Sequence, residues 1–221
     1  LKSMFDGFDF VFQRLDSALD KVLDAKLPLI GLRLNQVPAF SFFDTFVSAG
    51  VAGLSPLNSS SFTFDSVRTS LQVALSSAFP GATVTLDQST PNEVKYIVSV
   101  GSTINQSIPL QRDLGFPALG LDINTNVNVG FQWSANFAIG ASLGGFFFDV
   151  GANPELQMNL NVSLPPNASI TGSLGFLQVL AKTDPIHPTV LTGSFAVNLV
   201  DPGTGANNNN RVTLDELSSI S

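Results

Sequence analysis

The residues best placed to do chemistry lie near the carboxyl end. From Asp201 to Glu216 the chain reads Asp-Pro-Gly-Thr-Gly-Ala, four asparagines, then Arg-Val-Thr-Leu-Asp-Glu. Calcium takes roughly six to eight oxygen ligands, and an EF-hand-like loop supplies them from positions 1, 3, 5, 7, 9 and 12. With Glu216 at position 12, Asn207 falls at 3, Asn209 at 5, the Arg211 carbonyl at 7 and Thr213 at 9. Asn210 takes the place usually held by glycine, and asparagine tolerates a left-handed backbone. Position 1 is Gly205, a departure from the pattern, with Asp201 four residues earlier. A looped-back Asp201 would supply the missing carboxylate. With so little ligand charge the expected affinity is weak, ~10⁻⁴ M or poorer. The plain alternative is an Asn-rich turn followed by a capped helix.

Other chemistry finds little support. His187 is the single histidine and sits between Ile186 and Pro188, with no convergent partner in the sequence. No serine stands in a Gly-x-Ser-x-Gly elbow. Asp6, Asp9, Asp16 and Asp20 fall on the solvated side of a helix, where they solubilise rather than form a catalytic pair. Zero cysteines remove disulfides, Cys-based zinc and thiol catalysis. The expectation is therefore not an enzyme.

The elements that must position these residues divide by period. Phe5, Phe8, Phe12, Leu15, Leu19 and Val22 follow helical spacing, giving an amphipathic helix from about Ser3 to Asp24. A second helix is expected from about Pro38 to Ala49, a loop from Gly50 to Ser61, and a third helix from about Phe64 to Phe79. Pro80-Gly81 stops it. After Gly81 the period becomes two. Thr83–Leu86, Val94–Val100 and Asn105–Leu110 read as strands. Between Ile123 and Ile139 apolar and polar residues alternate for seventeen residues. That run is a strand, or two end to end, which at ~3.3 Å per residue spans ~55 Å. Phe146–Val150, Leu156–Leu164, Ile170–Thr183 and Val190–Val200 complete about seven strands. The fold class is α+β: N-terminal amphipathic helices packed on a long-stranded, mainly antiparallel sheet, a meander joined by short turns. Its parts are residues 1–81 (helical), 82–200 (sheet) and 201–221 (loop and short helix), integrated as one domain.

Composition limits the setting. Charged residues make up 12%, about half the usual share, and apolar residues 44%. No run of about eighteen apolar residues exists, so no transmembrane segment is expected. Ten basic and 17 acidic residues leave a net charge of −7. Without a basic stripe, nucleic-acid binding is not expected. Absent cysteine, scarce Lys and Glu, and abundant Asn, Ser, Thr and Gly lean towards an extracellular or cell-surface location. The opening Leu1-Lys2-Ser3, without a signal peptide or initiating Met, reads as a processed or excised piece.

Three segments together carry a resemblance. They are Phe5-Asp6-Gly7-Phe8-Asp9 through Leu27-Pro28-Leu29-Ile30-Gly31; Gly145-Phe146-Phe147-Phe148-Asp149 with Gly172–Gln178; and Gly193-Ser194-Phe195 through Asp201-Pro202 and Arg211–Leu217. Their order resembles one repeat unit of very large secreted or surface-attached, calcium-associated, adhesin-like bacterial proteins. The resemblance implies an exported, tandemly repeated structural module.

Two functions follow as expectations. The first is a structural subunit or repeat module of an extracellular assembly (a filament, sheath or adhesin) that joins copies of itself through sheet edges or apolar faces. The second is a binding module for a lipid or other apolar ligand in a groove between sheet and Phe-rich helices. The polar face, Asn124, Asn126, Asn128, Gln132, Asn136, Gln157, Asn159, Asn161 and Ser163, is expected to be solvated, with glycan or ice as the alternative partner.

Overall fold

The computed structural model describes residues 42–58, 61–113, 119–151, 153–174, 177–205 and 208–219, with Gly7 and Asp24. Helix α1 spans Phe42–Gly53, followed by a 3₁₀ turn at Ser55–Asn58, and α2 spans Phe64–Ala78. Nine strands follow: β1 Thr83–Asp87, β2 Val94–Asp113, β3 Leu119–Ser142, β4 Gly145–Asp149, β5 Leu156–Ser163, β6 Ser169–Leu174, β7 Leu177–Lys182, β8 Val190–Val197 and β9 Arg211–Thr213. Helix α3, Leu214–Ser219, ends the described chain. The α+β class with a mainly antiparallel sheet is what the change of period implies.

The strands run in the order β1-β2-β3-β4-β9, with β5 and β6 also pairing β3, β7 pairing β6 and β8 pairing β5. The first four follow meander order, and the later strands depart from it. The chain forms two compact units. Unit 1 holds residues 1–102, 133–157 and 196–221; unit 2 holds 103–132 and 158–195. Strands β2, β3, β5 and β8 have residues in both, so the units do not follow the sequence order of helices, sheet and tail.

In unit 1, α2 begins at a reciprocal cap. Ser66 N–H donates to Thr63 Oγ1 (3.1 Å) and Thr63 N–H donates to Ser66 Oγ (3.0 Å). Its buried face is Val67, Leu71 and Leu75, four residues apart. Gly53 lets α1 approach this face: a Cβ there would stand 2.7 Å from Leu71 Cα. On β3, Trp133, Ala135, Phe137 and Ile139 are buried while Asn136 is exposed. Phe42 stacks on Trp133 at 4.3 Å, Phe79 meets it edge-on at 5.1 Å, and Phe137 stacks on Phe148 at 5.5 Å. Aromatic pairs add about 0.5–1.5 kcal/mol each beyond area burial. Phenylalanine therefore earns its abundance as core filler between helices and sheet.

In unit 2 the same alternation continues. Val127, Val129 and Phe131 are buried; Asn126, Asn128 and Gln132 are exposed. Met158 and Val162 of β5 are buried, whereas Asn159 and Asn161 are exposed. Strands β6 and β7 pair from Ser169 with Lys182 to Leu174 with Leu177.

Several expectations are corrected. Among the described residues there are nine strands rather than about seven. Asn105–Leu110 is no separate strand but part of β2; of the two alternatives for the long run, one strand or two end to end, the structure has the single strand β3. Ile170–Thr183 is a hairpin, not one strand. Helix α1 runs to Gly53, into the expected loop, while the expected start at Pro38 lies outside the described residues. The three-residue β9 inside the tail was not expected; it pairs β4 through Phe147–Thr213, Phe148–Val212 and Asp149–Arg211. The helix expected over Ser3–Asp24 lies outside the described residues, apart from a helical Gly7 and a turn at Asp24. Gly7 is buried, and a Cβ there would collide with the Phe146 ring.

Candidate functional site

The tail is held by its own hydrogen bonds. Asp201 folds back on the loop: Gly203 N–H donates to Oδ1 (2.7 Å), and Asn209 N–H (2.7 Å) and Arg211 N–H (3.4 Å) donate to Oδ2. Burial pushes the Asp201 carboxyl up, but the backbone donors of Gly203, Asn209, Arg211 and Asn210 outweigh it and hold it below its usual value. Asn210 adopts a positive φ of 60°, the conformation its place in the loop pattern suggests. Its carbonyl accepts from Val150 N–H (2.9 Å).

Arg211 uses its side chain elsewhere. Nη1 and Nη2 donate to the two carboxylate oxygens of Glu93, both at 2.9 Å, and the guanidinium lies 4.2 Å from the Phe147 ring centroid. This fork-to-fork pair with a cation–π contact ties the tail to the start of β2. Thr213 and Glu216 close on each other. Thr213 N–H (2.9 Å) and Oγ1–H (2.8 Å) donate to Glu216 Oε2, while Glu216 N–H donates to Thr213 Oγ1 (3.4 Å). That is the capping box of α3.

Of the expected calcium ligands, Asp201, Asn209 and Arg211 are thus joined through backbone bonds, and Thr213 and Glu216 through the helix cap. Asn207 lies outside the described residues. Among the described residues no group of three or more His, Cys, Asp or Glu is arranged to hold a metal ion. His187 sits on the surface, its Nδ1 2.8 Å from Asp184 Oδ2. This contact is the leading reason the Asp184 carboxyl is held below its usual value.

Two other features emerge in unit 2. On the polar face, β2, β3, β5 and β8 together line a groove of about 440 Å³. Gly130 opens its floor: a Cβ there would stand 3.1 Å from Asn105 Oδ1 and 3.8 Å from the Asn161 Cβ. Asn159 and Asn161 were visible as part of the amide face, but Asn105, Thr192 and Ser194 were not joined to it. Their alternation in β2 and β8 was the available signal.

The second feature is an unprotected edge. Among the described residues β7 pairs β6 alone, and β8 pairs β5 alone. All six residues of β7 are exposed, including Leu177 (53%), Val179 (55%) and Leu180 (59%). Val190 and Leu191 of β8 are exposed too. The sequence signal was a break in alternation: Val179-Leu180-Ala181 places apolar side chains on both faces. Strand β1, another edge, is treated differently. Gln72 of α2 spans its backbone, donating from Nε2 to Ala82 O and accepting from Val84 N–H at Oε1, both at 2.7 Å. A helix side chain thus occupies edge groups that would otherwise be open to a partner.

Among the described residues, Phe42, Phe46, Phe79, Phe137 and Phe146 to Phe148 are buried in unit 1. Unit 1 has a cleft of about 490 Å³, lined by Phe64, Pro91, Glu93, Val94, Leu143 and neighbouring residues. No described helix is long and apolar enough to cross a membrane. Compared with protein-family models, curated proteins and solved structures, the chain matches none.

Proposed function

We propose that the protein is a structural subunit or repeat module of an extracellular assembly, joined to copies of itself through sheet edges. The observation that carries this reading is β7, an edge strand exposed on both faces and holding one charge, Lys182, at its end. Soluble proteins usually blunt such edges with charge, proline or a covering element. The same chain covers β1 with Gln72 and leaves β7 open. The extracellular setting rests on composition: no cysteine, few charges and abundant small polar residues. Calcium remains a proposed ligand of the tail; its role there is to add to a loop already closed by Asp201.

Size-exclusion chromatography with light scattering, over a wide concentration range, tests the reading. The wild-type protein should grow in mass with concentration, and negative-stain micrographs should show chains or sheets. Val179→Lys with Leu180→Lys, both at exposed positions, should shift the population to monomer. A wild-type monomer at every concentration, with and without calcium, would sink the proposal.

A further inference from the structure

We propose that the amide-lined groove of unit 2 binds a neutral carbohydrate chain. Four strands bring Asn105, Gln132, Asn159, Asn161, Thr192 and Ser194 to one concave surface. All six are exposed, and none of these side chains has a hydrogen-bond partner within the described protein. On the same polar parity in unit 1, by contrast, Ser99 Oγ donates to Asn136 Oδ1. The groove therefore presents a set of unengaged donors and acceptors rather than a closed network.

The lining selects the ligand class. No charged residue lines the groove, although the chain carries a net charge of −7. An anion would find no cation, and a metal ion no carboxylate. Phe131 lines it but is buried, with its side chain on the opposite parity, and half-buried Leu160 is the one large aliphatic side chain among the lining residues, so the exposed side chains there are amides and hydroxyls. Amides and hydroxyls each donate and accept, which matches vicinal hydroxyl pairs. Adjacent strands stand about 4.8 Å apart, close to the rise of one sugar along an extended glycan. Gly130 provides the depth. A Cβ added there would stand 3.1 Å from Asn105 Oδ1 and 3.8 Å from Asn161 Cβ, so the bare glycine is what lets the Asn105 amide lie against the groove floor. With no stacking ring, affinity should be on the order of 1 mM.

The test is an NMR titration of isotope-labelled protein with neutral hexasaccharides of glucose, mannose, galactose and N-acetylglucosamine. At least one should give saturable shifts centred on Gly130 and Asn161. Gly130→Leu, which would displace the Asn105 amide and obstruct the groove floor, should weaken binding by at least about tenfold, the ordinary cost of losing well-placed hydrogen bonds. Asn161→Ala and Asn105→Ala, at exposed positions that leave the fold intact, should weaken it in the same direction. Asn126→Ala, on the same face but outside the groove, should not. No saturable shift with any of the four sugars would overturn the proposal. So would unchanged binding in Asn105→Ala and Asn161→Ala, or tighter binding of a sulfated glycan or a neutral peptide. Because the groove and β7 use different residues, loss of sugar binding and loss of self-association are separable results.

Discussion

At the scale of single residues, Glu155 carries the most informative charge. It is 3% exposed, accepts from Leu199 N–H at Oε2 (2.6 Å), and has no partner for Oε1. Burial pushes its pKa up, and the hydrogen bonds from the Leu199 and Glu155 backbones offset only part of that. The stability it contributes is fully present below its unfolded value of about 4.5 and is lost as pH rises through the raised folded value. The wild-type Tm should therefore fall relative to Glu155→Gln as pH rises from 4.5 to neutrality, measured by thermal melts of both proteins. Asp201 has the opposite sign: its contribution is present above 3.8 and lost as pH falls through the lowered value. Arg211 makes a second residue-scale prediction. Glu93 is 7% exposed in its side chain, so Arg211→Met strands a nearly buried carboxylate. The expected cost is about 2 kcal/mol in urea unfolding. Arg211→Lys should recover part of it, because a lysine cannot reproduce the two-pronged contact.

At the scale of elements, the caps and edges matter more than the strand interiors. Thr63→Ala removes the acceptor for Ser66 N–H and should cost about 1 kcal/mol, read by denaturant unfolding with Ser66 unchanged. The interiors were already legible: from Val127 to Ile139 one parity is buried throughout, and the other is exposed or half-buried throughout. Period two reports which face a residue takes, so it also found Met158 and Val162. It does not report where a strand folds over. Ile170–Thr183 reads as one strand-like run although Leu174 and Leu177 are paired with each other. Gly175 was the hairpin signal there, since glycine at the first of two loop positions suits a tight turn. The capping pair Thr213–Glu216 has a similar lesson. Oxygen-bearing residues three apart serve a helix start as readily as a cation loop, and spacing alone does not separate the two uses. The groove was harder still, because Asn105, Gly130, Asn161 and Ser194 meet only once four strands are placed in register.

At the scale of the whole molecule, charge and association oppose each other. Copies carrying −7 repel at low ionic strength, where the Debye length is about 30 Å at 0.01 M. Screening shortens it to about 3 Å at 1 M and would leave the apolar and backbone contacts proposed at β7 intact. Self-association should therefore increase with salt, seen as a rising weight-average mass in sedimentation equilibrium. A falling mass would mean that ion pairs hold the copies together. The two units bear on how such material can be watched. The chain has a single tryptophan and a single tyrosine, Trp133 and Tyr96, and both belong to unit 1. Ultraviolet emission is thus a private signal of the unit that holds the helices, silent about the groove and the open edge. Heating the protein while following emission and far-ultraviolet dichroism side by side would reveal whether unit 2 melts with its neighbour or on its own schedule.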